Sequence, residues 1–286
     1  MTHGHEWLIR TVRGDRLPRM SPDHLLAMYD SQLRGTAEMA DAPEVTTIGP
    51  LLAATFPARR RAFVTYPPFS MDGPELDHLI ETVVARYSAD PRVDSIKWKT
   101  RAHDPLPHLL DRLRHHGFTV DGSETVLAGD VDAAIAADPG VPPHYSVEQA
   151  VTEGAIRQAE NLAGRVFQDP PELIRQQENE LIERWHSAPE SFEMWAVRDD
   201  EGRVVCSGRI DFIDGTDFAG LWGGACDADH RGRGLYRTLV AQRARSAQDR
   251  GKRFIQVDCS EYSQPILQRA GLTPITSVTA ATWHRG

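Results

Sequence analysis

The sequence predicts a mixed α/β fold arranged as two units of similar size, on three observations. The chain has 286 residues, too many for one minimal domain and enough for two of about 140 each. Proline and glycine crowd at Asp138-Pro139-Gly140 and Pro142-Pro143. That density stops regular structure, so 138–144 reads as a linker between a unit over 1–137 and one over 145–286. Beyond the linker, strand and helix signals alternate in an order that needs both antiparallel and parallel pairing.

In the second unit, Tyr145–Val151 reads as a short strand. Glu153–Phe167 carries Ile156, Ala159, Leu162, Ala163 and Val166 at helical spacing. Pro170-Pro171 breaks it, and Glu172–Trp185 continues as a second helix bearing Leu173, Leu181, Ile182 and Trp185. Three strand-like runs follow: Phe192–Arg198, Arg203–Ile213 and Phe218–Cys226. Asp199-Asp200-Glu201-Gly202 and Asp214-Gly215 make the turns, giving consecutive antiparallel hairpins. Leu235–Arg250 is a helix stopped by Gly251, and Phe254–Asp258 a buried strand. Gln264–Ala270 is a helix ended by Gly271, and Ser277–Trp283 a last strand.

The first unit holds a fainter version of this ending. After the irregular Tyr66–Pro74 come a helix over Leu76–Tyr87, a strand over Val93–Thr100 and a helix over Leu106–His115. Gly117-Phe118 and a strand over Glu124–Ala128 complete it. Ile96 and Ile255 are 159 positions apart, and Gly117 and Gly271 are 154 apart. The recurrence reads as a tandem duplication with one decayed member.

Composition narrows the function classes. With 40% hydrophobic and 26% charged residues, 22 Gly and 19 Pro, the chain is ordinary globular protein and neither a disordered tail, a collagen nor a coiled coil. The net charge of −9 divides into −5 before Tyr145 and −4 from it onward, so neither unit is a basic nucleic-acid module. No apolar run within Met1–Arg19 resembles a signal peptide, and no window approaches a membrane span. Three cysteines, Cys206, Cys226 and Cys259, are an odd number without a disulfide framework, and a reducing cytoplasmic location is expected. His115-His116 and His3-Gly4-His5 lack the spacing of a chelate, so no metal is expected.

One stretch carries chemistry: Gly223-Gly224-Ala225-Cys226-Asp227-Ala228-Asp229-His230-Arg231-Gly232-Arg233-Gly234-Leu235-Tyr236. A strand ends, a polar loop follows, and Arg-Gly-Arg-Gly opens an amphipathic helix. The first amides of a helix lack partners and carry partial positive charge, glycine lets backbone approach closely, and the arginines add charge. A pyrophosphate is the natural guest. No Gly-Lys-Ser/Thr occurs, which removes a P-loop, and the loop follows an antiparallel meander rather than opening an early βαβ unit.

In this setting Arg231-Gly232-Arg233-Gly234-Leu235-Tyr236 resembles the Q/R-x-x-G-x-G/A signature of the GNAT N-acetyltransferase superfamily, departing from it at Tyr236. The resemblance extends in element order over Tyr145–Trp283. It implies acetyl-CoA as cosubstrate, with the amides of Gly232, Arg233, Gly234, Leu235 and Tyr236 on the pyrophosphate and Arg231 beside them. Gly224, Ala225 and Cys226 match the strand segment that pairs with the pantetheine arm, and Ser260 falls near a frequent asparagine contact to the same arm. Tyr236 implies an altered fit around the phosphates.

The family's usual catalytic groups are missing. The common strand glutamate falls on Gly220, with Trp222 next on that face, and the common tyrosine acid falls on Leu267. Direct attack by an amine still needs only a deprotonated nucleophile and an aligned, polarised thioester. Asp258 or Asp211 then serves as base through water, and Ser263 or Tyr262 as acid to the thiolate. Asp258 reads equally well as a turn residue at a strand end, and Cys226 as a small buried residue.

The acidic residues Asp169, Glu172, Glu178, Glu180 and Glu183 suit a cationic amine or form a solvated helix face. Trp185, Trp195 and Trp222 line a cleft or pack in the core. In the first unit, Met71-Asp72-Gly73-Pro74 stands before the helix with one glycine, no arginine and a proline lacking an amide. That unit is expected to cover or support the active one without binding CoA.

The expectation is an acyl-CoA-dependent N-acyltransferase acting on a small-molecule amine, with mycothiol-synthase-like and protein N-terminal acetyltransferase variants, as monomer or homodimer. A CoA-binding sensor without turnover is the alternative.

Overall fold

The structure, a computed structural model, describes residues 20–39 and 42–286. The readings on His3-Gly4-His5 and on Met1–Arg19 fall outside the described residues. The first half opens with helix α1 (Pro22–Gln32), whose amide at His24 is capped by the Ser21 side chain. A meander of β1 (Glu44–Ile48), β2 (Leu51–Phe56) and β3 (Arg61–Thr65) follows. Helix α2 (Gly73–Ser88) crosses to β4 (Ser95–Arg101), and α3 (Leu109–His115) leads to β5 (Thr119–Asp130) and the short α4 (Val131–Ala136).

The second half contains β6 (Tyr145–Gln149), α5 (Glu153–Phe167) and α6 (Pro171–Ser187), then the meander β7 (Phe192–Asp199), β8 (Val204–Phe212) and β9 (Phe218–Cys226). Helix α7 (Leu235–Asp249), β10 (Phe254–Cys259), α8 (Gln264–Arg269) and β11 (Thr273–His284) complete it. Every element expected in this half is present. The run β3–α2–β4–α3–β5 has the same element order as β9–α7–β10–α8–β11, and Gly117 and Gly271 both take positive φ (85° and 94°) after the short helix. Neither position suits a side chain.

Eleven strands of the described residues form one sheet in the order β1-β2-β3-β4-β11-β5-β10-β9-β8-β7-β6. The closing strands are exchanged between the halves. β5 pairs with β10 of the second half, β11 pairs with β4 of the first, and the two lie antiparallel to each other at the centre. The sheet therefore runs unbroken across the linker.

Alternation along the strands sorts the two faces. Ala62, Val64, Ile96 and Trp98 pack with Leu76, Ile80 and Val83 of α2 and Leu113 of α3. On the same side, Leu221, Ile255 and Val257 pack with Val240 and Ala244 of α7 and Leu267 of α8. On the opposite side, Leu25 and Tyr29 of α1 cover Val126, Phe218, Phe254 and Val278, and α5 and α6 pack on Phe192 and Met194. Between α1 and the α5–α6 junction this second face stays open.

Candidate active site

β9 and β10 run parallel and pair only from Phe218↔Phe254 to Gly220↔Gln256. Beyond that point they part, although β9 continues to Cys226 and β10 to Cys259. The opening belongs to a cleft of about 1290 Å³. Its ends are the loop at Arg231–Arg237 and the Ser260–Ser263 turn, with Val166–Gln168 at the end of α5 on one wall. The other wall comes from the first half: Arg61 and Phe63 of β3 and Lys97 and Lys99 of β4.

The arginine–glycine loop opens α7 without a side-chain cap; Gly234 holds the N-cap position at φ 86°. Gly232 is also left-handed, at φ 76°, with nothing near the place of its missing Cβ. The first-turn amides of α7 thus meet the cleft with no side chain bonded across them, the arrangement that receives an anion. Arg231 donates from Nε to the Cys226 carbonyl at 3.0 Å. Arg233 donates to the Tyr145 hydroxyl at 2.8 Å and the Asp229 carbonyl at 3.1 Å. These contacts shape the loop, and Arg233 alone among the expected cofactor residues does not line the cleft.

Gly224, Ala225 and Cys226 border the gap. The Tyr236 ring turns under the strand against Gly224, so its bulk fills space behind β9 instead of facing the phosphate position. Burial pushes its phenol pKa up, and that of the fully buried Arg243 guanidinium beside it down. Cys226 stands directly across from Cys206 of β8. The Cys206 thiol donates a hydrogen bond that, helped by Arg231 and Arg233, holds the Cys226 thiol below its ordinary pKa.

The crossover helix of the first half has a different N-terminus. The Asp72 side chain accepts from the Glu75 amide at 3.0 Å, so α2 supplies its own anion. The space beyond paired β3 and β4 is also filled. Buried Arg34 donates to the Tyr66 carbonyl at 3.3 Å and grips Asp104 through both Nη atoms at 2.8 and 3.1 Å. Glu38 meets Thr65 and Arg101 nearby.

Residues 157–271 match the model of the Acetyltransferase (GNAT) family. Those residues form a GNAT acetyltransferase domain. Similar solved structures include a GCN5-related N-acetyltransferase from Kribbella flavida, with TM-score 0.68 and 16% identity over 92% of this chain and 95% of that one. A GCN5-related N-acetyltransferase from Sphaerobacter thermophilus follows at TM-score 0.60 and 16% identity, covering 82% and 76%. A tandem GNAT protein from the clavulanic acid biosynthesis pathway aligns at TM-score 0.58 and 14% identity over 94% of this chain and 98% of that one. At such identities the likeness is one of fold, here a tandem GNAT fold spanning both halves. No curated protein matches the chain.

Within the GNAT domain, the position of the usual strand glutamate is filled from its neighbour: a Cβ on Gly220 would lie 2.7 Å from the Trp222 indole nitrogen. Leu267 is fully buried in the core. Asp258 reaches the cleft and binds Lys99 through Oδ2 at 2.8 Å, while its Oδ1 is buried without a partner. Ser263 begins α8 and donates to the Ser260 carbonyl at 3.3 Å. Tyr262 stands exposed at the rim. Asp211 does not line the cleft and is held by Arg184 at 3.2 Å and Arg209 at 2.8 Å.

The acidic residues of α6 also lie outside this cleft. Glu172 pairs with Arg175, Glu178 with Arg157 and Glu180 with Arg59. Arginines on and around α6 thus compensate the charge of these three. Trp185 packs beside the α5–α6 core and Trp195 bonds Glu193, which leaves Trp222 as the one expected tryptophan lining the cleft. Arg61, Phe63, Lys97 and Lys99 lay beyond sequence reasoning, because only the strand exchange brings the first half to this wall.

Among the described residues, no helix is long and apolar enough to cross a membrane.

Proposed function

We propose that the chain transfers an acetyl group from acetyl-CoA to a primary amine of a small molecule by direct attack. The observation that carries this reading is the uncapped α7 N-terminus opening into the same cleft as the parted β9 and β10. In it the amides of Gly232–Tyr236 hold the CoA pyrophosphate. The pantetheine arm lies along Gly224, Ala225 and Cys226, with Ser260 on its other side, and the thioester carbonyl accepts from backbone amides left unpaired by the splay. The acceptor enters between the α5–α6 junction and the first-half wall.

The amine attacks the carbonyl, the C–N bond forms, and the C–S bond breaks. The Asp258 carboxylate takes the amine proton through water, and the Ser263 hydroxyl protonates the departing thiolate. The first half binds no CoA in this reading, since Asp72 and the Arg34–Asp104 pair fill its equivalent places. Isothermal titration with acetyl-CoA, followed by thiol release with an amine panel, tests it. Absence of binding at millimolar acetyl-CoA refutes the reading.

A second reading, a CoA-responsive binding module without turnover, is favoured by Trp222 over Gly220 and the buried Leu267, which remove both usual catalytic groups. Binding without thiol release under any amine selects it.

A further inference from the structure

The cleft is basic in an acidic protein. Seven arginine and lysine side chains line it against two acidic ones, Glu124 and Asp258, within a chain of net charge −9. Three of the seven, Arg231, Arg237 and Arg243, belong to the loop and helix at the cofactor end. The first-half wall adds Arg61, Lys97 and Lys99. Lys99 is spoken for by Asp258 at 2.8 Å and Glu38 at 3.2 Å. Among the described residues Arg61 and Lys97 have no ion-pair or side-chain hydrogen-bond partner, and Arg61 Nε is buried without one. Glu180, a carboxylate whose charge acts on Arg61, is committed to Arg59.

The register puts these two cations on one surface. Lys97 pairs with Phe63 across β4 and β3, and Arg61 and Phe63 alternate to the same face, as do Lys97 and Lys99. Lys99 touches Asp258, so this is the face on which the acyl group would be transferred. The strand order separates β4 from β10 by β11 and β5, about 14 Å at the usual strand spacing. CoA phosphates seated on α7 lie on the far side of β10 from this pair. Desolvating a guanidinium without a counter-charge is unfavourable, and an anion supplied by a ligand relieves it.

We infer that Arg61 and Lys97 form an anion subsite for the acceptor, which carries a phosphate or carboxylate group set apart from its reacting amine. This rests on the reading of the cleft as an acyltransferase site. The first half then contributes specificity: its wall selects the acceptor while the second half holds the cofactor. Phe63 between the two cations gives the linking part of the acceptor an apolar surface.

The test uses the full chain saturated with CoA, so that the α7 loop is filled. Binding of O-phosphoethanolamine and of ethanolamine is compared by titration calorimetry, with glycine and glycine methyl ester as the carboxylate pair. The anionic member of at least one pair binds about tenfold tighter or more, and Arg61→Gln with Lys97→Gln abolishes that preference. The single variant Lys97→Gln, at a half-buried position and with its fold checked by melting temperature, weakens it. Equal or absent binding within both pairs overturns the inference, as does a preference that survives the double substitution. Failure of CoA itself to bind refutes the acyltransferase reading instead, and the two failures are read in separate titrations.

Discussion

The Tyr236 hydroxyl stands 2.5 Å from where a Cβ on Gly224 would be. The second residue of α7 therefore requires glycine on the strand that borders the gap, and the loop and the strand are fitted to each other. Gly224→Ala overpacks this contact and costs about 1–3 kcal/mol of stability, with loss of acetyl-CoA affinity. Tyr236→Leu in the same chain removes the obstructing ring atoms and recovers most of the melting temperature. Thermal unfolding and calorimetry of the single and double variants check both statements.

The two crossover helices respond oppositely to charge at their N-termini. Gly234→Asp puts a carboxylate where the uncapped amides face the cleft, at a left-handed position that also disfavours any side chain. Acetyl-CoA binding is lost. Asp72→Ala removes the cap of α2 and costs about 1 kcal/mol, with acetyl-CoA affinity unchanged. Calorimetric affinity beside melting temperature separates the two; a loss of affinity in Asp72→Ala contradicts the assignment of the cofactor to α7 alone.

Glu38 sets an acid limit on stability. Burial raises its pKa, but Lys99 and Arg101 overcome this and hold it at about 2, against 4.5 for the free side chain. A depressed folded value means its contribution is complete above pH 4.5 and fades as pH falls toward 2, a loss on the order of 3 kcal/mol. Lys99, raised by Asp258 and Glu38 against the opposing effect of burial, loses its contribution only above the ordinary lysine range. Denaturation midpoints from pH 6 to 2 fall more steeply in the wild type than in Glu38→Gln; parallel slopes contradict this.

Cys226 is the thiol to label. Its pKa is lowered first by the hydrogen bond from Cys206 and then by Arg231 and Arg233, whereas Cys206 and Cys259 are both raised. Iodoacetamide at pH 7.5 modifies Cys226 before the other two, and saturating acetyl-CoA slows the reaction at least fivefold. Peptide mass mapping reads both. Cys206→Ala removes the donor and reduces the rate.

What could be read in the sequence follows from what is local. The hairpin turns at Asp199–Gly202 and Asp214-Gly215 and the helical spacing from Ile156 to Val166 depend on near neighbours, and those elements appear where expected. The arginine–glycine loop was legible for the same reason. Residues 22–65 hold a turn signal at Gly49-Pro50 but no clean periodicity on either side of it, so α1 and the β1–β3 meander are not legible in the sequence. Tyr236 looked like a phosphate-side residue because nothing local says its ring turns under Gly224. Asp258 reads from sequence as a base or a turn residue, because its partner, Lys99, is 159 positions away. The acidic run on α6 suggested a cation site until its arginine partners, Arg59 among them, came into view.

The exchanged strands bear on how the protein comes into being. β11 is made after every other strand described, yet it sits in the middle of the sheet between β4 and β5. Until it emerges from the ribosome, β4 is an uncovered edge, open to mispairing. β5, made early, waits for β10, a strand more than a hundred residues downstream. Neither half can mature first and lend itself as a template; the sheet closes in one late event, dominated by contacts between distant parts of the chain. Cutting at the linker would yield two fragments, each holding the strand the other lacks.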